Sequence, residues 1–226
     1  MGKRLADGVS AKLEFDYVCE LGPSFDESYL HKTIGQITNA ITSPQDFRIF
    51  SGYAHDALAK SEGEKSGRPR EVDFYIHAYP SELTPTCIEA KWADSSHCTW
   101  DKILLDICRL ALVRQHSPTT ECLFILSGPT SKVNAAIKSI EENMPLRKKR
   151  GQRIGILEAP SERFAVPRHY RLKDWGGRFA GPDHLQKALP KKKNGRPNVP
   201  VKIQTALVRS SGTRTGKWQT VVWRIS

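Results

Sequence analysis

Val72-Asp73-Phe74-Tyr75-Ile76-His77 and Thr86-Cys87-Ile88-Glu89-Ala90-Lys91-Trp92 are the two stretches that decide the fold. In the first, Val72, Phe74 and Ile76 alternate with Asp73, Tyr75 and His77. In the second, Ile88, Ala90 and Trp92 alternate with Cys87, Glu89 and Lys91. A period of two marks a strand with one face against a core. The link between them holds Pro80 and Pro85, which turn the chain and cannot extend either strand. Two such strands make an antiparallel hairpin, and pairing Phe74 with Ile88 sets Asp73 opposite Glu89. Glu89 and Lys91, two apart, share a face about 7 Å along the strand. Asp73, Glu89 and Lys91 are thus expected on one side, while Val72, Phe74, Ile88 and Ala90 hold the other in the core.

Upstream, Ser24-Phe25-Asp26-Glu27 has the form of a capping box, with Ser at the N-cap and Glu at N3. Leu30, Ile34, Ile37 and Ile41 follow at helical spacing, and Pro44 closes a helix expected over about residues 25–42. Phe47 to Tyr53 suits a short strand, and residues 60–70 form a polar loop. Downstream, a helix is expected from about Thr99 to Gln115, with Trp100, Ile103, Leu104, Ile107 and Ala111 on its buried stripe. Cys122 to Leu126 reads as an apolar strand ending at Gly128-Pro129, and Ser131 to Glu142 as an amphipathic helix. Helix, three strands, helix, strand, helix describes an α/β fold: a mixed β-sheet flanked by helices.

Charge divides the 226 residues unevenly. Residues 1–146 carry 15 Lys+Arg against 20 Asp+Glu, whereas residues 147–226 carry 20 against 4, within a formal total of +11. Residues 1–146 are therefore expected to form the core, and residues 147–226 a basic C-terminal extension packed on it. That extension should end in a β-hairpin, Val201 to Ser210 and Lys217 to Ile225, around Gly212-Thr-Arg-Thr-Gly216. A basic region of this density is the electrostatic footprint of a polyanion, and a merely solvated tail is the blander alternative. Arg147, Lys148, Lys149, Arg150 and Arg153 form one cluster. Arg168 and Arg171 belong to a second that interleaves with His169, Tyr170 and Trp175, and Lys191, Lys192 and Lys193 to a third. Cations on phosphates beside flat rings suit a nucleic-acid partner.

Hydrophobic residues make up 38 %, enough to exclude wholesale disorder. The longest apolar run, Ile103 to Val113, is broken by Asp106 and Arg109 and is too short for a membrane span. No apolar signal core follows Met1-Gly2-Lys3-Arg4. The five cysteines contain no CxxC pair, which argues against a disulfide framework and a zinc ribbon. The expectation is a soluble cytoplasmic protein.

Two close carboxylates repel unless a cation lies between them, and an all-oxygen donor set favours Mg²⁺ (Mn²⁺ substituting) over zinc. Such an ion beside a lysine can cleave phosphodiesters: the ion polarises the phosphoryl oxygen and the ammonium offsets developing charge. Glu71-Val-Asp73, then Glu89-Ala-Lys91, resembles the motif of the PD-(D/E)xK phosphodiesterase superfamily of restriction endonucleases and related nucleases. Val72 stands where the motif's name has proline. The resemblance covers roughly residues 24–143 and implies a restriction-endonuclease-like fold. It also implies that Asp73 and Glu89 are metal ligands and catalytic groups, that Lys91 is the catalytic lysine, and that the Ala90 backbone carbonyl is a further ligand.

The resemblance further suggests a carboxylate from the preceding helix, for which Glu27 is the candidate; a capping role is the alternative. Asp106 and Arg109, three apart, are read as a surface ion pair, and His77 as a partly buried histidine. The expected function is a metal-dependent DNA endonuclease serving restriction, defence against foreign DNA or recombination. Its partner would be double-stranded DNA, with a homodimer where both strands are cut. The alternatives are a non-catalytic nucleic-acid-binding protein with a nuclease-like fold, a nuclease acting on RNA or branched DNA, and a module whose basic region binds acidic protein.

Overall fold

In the computed structural model the described residues are 1–60, 69–79, 83–143, 146–147, 153–154, 156–157, 159–160, 168–171, 188–191, 198–200 and 202–226. The alternating stretches are strands: β1 spans Phe47–Tyr53, β2 Val72–Ala78 and β3 Thr86–Trp92. Both pairs, β1 with β2 and β2 with β3, are antiparallel, and the β2–β3 register pairs Phe74 with Ile88. Strand β4 (Glu121–Pro129) runs parallel to β3. Parallel neighbours need a long crossover, and helix α3 (Trp100–His116) provides it.

On its other side β4 pairs antiparallel with β9 (Trp218–Ile225), which pairs in turn with β8 (Lys202–Gly212) and then β7 (Arg168–Arg171). The sheet order is β1-β2-β3-β4-β9-β8-β7, so residues from the basic third complete the same sheet as β1–β4. Strands β5 (Leu146–Arg147) and β6 (Arg153–Ile154) form a separate short pair.

Helices cover both faces. Helix α3 and α4 (Thr130–Asn143) pack over a core containing Phe124, Leu126, Val221 and Trp223. Helix α1 (Gly2–Val18) and α2 (Glu27–Ile41) pack over Phe74, Ile76, Ile88, Ala90, Leu123 and Ile125. Val72, expected beside Phe74, instead joins the α3–α4 core. No helix among the described residues is long and apolar enough to cross a membrane.

Two local expectations are corrected. Helix α1 was not anticipated, although Leu5, Val9 and Leu13 recur every four residues and are fully buried with Ala6. The capping box also fails: Ser24 ends a 3₁₀ turn (Gly22–Ser24), and the N-cap of α2 is Asp26, whose carboxylate accepts the Tyr29 N–H at 2.7 Å. Asp26→Ala should therefore lower stability by about 1 kcal/mol in denaturant unfolding, whereas Ser24→Ala should change it little.

The new cap places Glu27 at the first helical position, its side chain released from backbone duty. Just before it, Phe25 meets Trp92 at 6.2 Å and Trp218 at 5.1 Å between ring centroids. That aromatic contact docks the start of α2 against the end of β3, beside Lys91.

Candidate active site

Asp73 is the one residue of β2 absent from both neighbouring ladders among the described residues. The β1 register passes from Ser51↔Phe74 to Tyr53↔Val72, and the β3 ladder ends at Phe74↔Ile88. One further pair would set Asp73 directly against Glu89, and like charges across strands destabilise. Instead the Asp73 Oδ2 accepts the Ala90 N–H at 2.7 Å, so a carboxylate takes a backbone donor of β3. On the other side of Asp73, Gly52 has φ +62°, and a Cβ there would approach Glu71 Oε2 to 3.3 Å. Gly52→Ala should cost about 1–2 kcal/mol of stability, read from its unfolding midpoint.

Lys91 sits between two helices. Its Nζ lies 3.1 Å from Glu27 Oε1 on α2 and 3.3 Å from Asp106 Oδ2 on α3, with the Ala90 carbonyl at 3.5 Å. Burial works against the ammonium, but Asp106, Asp73 and Glu27 outweigh it and hold Lys91 charged, above its usual range. Arg109 reaches Asp106 Oδ1 at 3.4 Å and Glu89 Oε1 at 3.9 Å. The expected surface ion pair is thus corrected: Asp106 is only 3 % exposed and turns inward with Arg109. Asp106 lies between Ile103 and Leu110 on the buried stripe of α3, and that spacing was the available signal.

Glu89 is 2 % exposed, and its Oε1 accepts no hydrogen bond. Burial first, then Asp106 and Asp73, push its carboxyl well above the usual range, opposed by Arg109 and Lys91. Burial likewise raises Asp106 to about 6 against the pull of Lys91 and Arg109. His31 was not singled out from the sequence. It lies one turn beyond Glu27 on the same helix face, with Nε2 3.6 Å from Asp73 Oδ2. His77 lies further along β2 and packs on Tyr79 at 4.2 Å instead.

Glu27, Asp73, Glu89 and Asp106 set four carboxylates against Lys91 and Arg109, an excess of two negative charges when all are ionised. The buried Glu89 oxygen that takes no hydrogen bond and an all-oxygen donor set fit a hard divalent cation. Asp73, Glu89 and the Ala90 carbonyl would hold it, with Glu27 nearby. In the present arrangement Asp73 is tied to Ala90 and Glu27 to Lys91. Among the described residues no group of three or more His, Cys, Asp or Glu side chains is arranged as a metal cage.

Of the basic candidates, Arg147, Arg153, Arg168 and Arg171 lie on strands β5, β6 and β7, and Lys191 is exposed. Lys148, Lys149, Arg150, Lys192 and Lys193 fall outside the described residues. Comparison of the chain with protein-family models, with curated proteins and with solved structures finds no match.

Proposed function

We propose that the chain is a Mg²⁺-dependent endodeoxyribonuclease with a restriction-endonuclease-like core, acting on DNA phosphodiesters. The observation that carries this is Lys91, held charged between Glu27 and Asp106 on a strand that also presents the buried Glu89, whose Oε1 takes no hydrogen bond. A purely structural ion-pair network satisfies its buried acids, because an unpaired buried carboxylate costs several kcal/mol. Here the buried Glu89 Oε1 takes no hydrogen bond, its Arg109 partner stands off at 3.9 Å, and further acids lie beside it, as suits a cation-binding pocket.

A bound Mg²⁺ would supply Lewis acidity at the scissile phosphate and activate water for attack. Asp73 and Glu89 provide the anionic oxygens that bind it. Lys91 brings a positive charge, positioned in advance by two carboxylates, to the point where negative charge grows in the transition state. Arg109 holds Glu89 and Asp106 in place from α3. The basic residues of the last third supply sequence-independent affinity for DNA phosphates.

Incubating the protein with supercoiled plasmid tests this. Nicked or linear product should form with Mg²⁺ or Mn²⁺ and vanish with chelator. Tight plasmid binding without cleavage under every divalent ion would overturn the enzyme in favour of a non-catalytic DNA-binding protein.

A further inference from the structure

A groove of about 1460 Å³ lies between α2 and β1 and runs to Asp73. That volume exceeds the roughly 300–1,000 Å³ typical of small-molecule sites, so a polymer suits it better than a metabolite. Its lining is basic, although it belongs to the acidic part of the chain. Lys32, Arg48, Arg70 and Arg109 line it, against Glu71 and Asp73. Lys32 and Arg48 are exposed on facing walls, one on α2 and one on β1. Arg70 closes the far side with its Nε donating to the Ala188 carbonyl at 2.9 Å. The inner end is the candidate active site itself, where Asp73 and Arg109 meet the lining.

We infer that this groove is the path along which the DNA backbone reaches Asp73, with Lys32 and Arg48 on its phosphates, an inference that rests on the nuclease proposal. Residues 147–226, where the sequence concentrates its positive charge, would then add general affinity, while the α2–β1 groove sets where the strand enters. Charge complementarity supports this assignment. Within a segment carrying more acids than bases, cations converge on a channel that runs to Asp73. A polyanion arriving there loses its counterions to fixed cations before it meets the acids.

Binding in chelator, read by fluorescence anisotropy with labelled single-stranded and duplex oligonucleotides, separates this inference from catalysis. The double variant Lys32→Glu, Arg48→Glu should lose about 10-fold or more in affinity for at least one probe. Its dependence of log affinity on log salt should flatten by about 2. The control pair Lys132→Glu, Lys138→Glu makes the same charge change on α4, in the layer across the sheet from α2, and should bind like wild type.

Equal losses in both double variants, or wild-type binding by the groove variant, would overturn the inference. Failure of the nuclease proposal looks different. The wild-type protein would bind DNA without cleaving it in Mg²⁺, while the groove variant would still show its binding defect.

Discussion

Lys91→Ala should lower Mg²⁺-dependent plasmid cleavage by about 10²–10³-fold while leaving DNA affinity near the wild-type value. The side chain sits at 3.1 Å from Glu27 and 3.3 Å from Asp106, held by those two carboxylates at the proposed point of transition-state charge and not among the cations proposed to bind DNA. Removing it deletes a preorganised charge from chemistry and little from binding. Truncation also leaves Glu27 and Asp106 facing each other without their cation, so some stability is lost as well. Lys91→Arg separates the two consequences. It keeps the charge and should keep the fold, yet its broader planar head cannot occupy the same point, so cleavage should remain low. Full cleavage by the alanine variant would remove Lys91 from the mechanism.

Glu89→Gln should abolish cleavage and, without divalent ions, make the protein more stable. The carboxyl is buried against Asp106 and Asp73, and both its burial and those neighbours raise its proton affinity. A folded-state pKa above the unfolded one means that the native protein holds the extra proton. The stabilisation is complete below the unfolded value and is lost as pH rises through the folded value. Asp106, lifted from 3.8 to about 6, adds a loss of the same sign across that window.

Metal-free wild-type protein should therefore become less stable between about pH 4 and pH 7 on account of this cluster. The glutamine variant should gain on the order of 1 kcal/mol or more at neutral pH, with little gain at about pH 4. The neutral amide removes the charge that burial, Asp106 and Asp73 oppose. Thermal unfolding in chelator and in Mg²⁺ provides the readout. Wild type should rise in midpoint with Mg²⁺, and Glu89→Gln should not. A variant that is destabilised in chelator, or that still responds fully to Mg²⁺, would contradict the cation-binding role of Glu89.

The site's central strands were legible because alternation at Val72–Ile76 and Ile88–Trp92 reports which side chains share a face, and Pro80 and Pro85 confine the turn. Alternation excluded a slip by one, which would have buried Asp73 in place of Phe74, but a slip by two keeps the same faces, and the folded hairpin settles on Phe74↔Ile88. Other parts needed tertiary context. Asp26 and Ser24 are both good caps in isolation; in the fold Ser24 is taken up by a 3₁₀ turn, Phe25 packs against Trp92 and Trp218, and Asp26 caps the helix, leaving Glu27 for Lys91.

Asp106 and Arg109 have the spacing of a surface pair on any helix; the sheet that covers them turns them inward. Helix α1 carried a periodic signal in Leu5, Val9 and Leu13, but interspersed charges weakened it. The α2–β1 groove joins residues distant in sequence, Lys32 and Arg70 among them, and no local pattern announces it.

Strand β9, late in the chain, lies between β4 and β8, and α1, at the other end, packs against both β8 and β9. During synthesis, β4 therefore emerges with an unpaired edge that waits for some ninety further residues before its neighbour exists. Without β9, α1 lacks part of the surface it packs on, and the core behind Glu89 and Lys91 stays unfinished until then. A time-resolved translation assay should show cleavage competence arriving abruptly, after Trp218–Ile225 has cleared the exit tunnel.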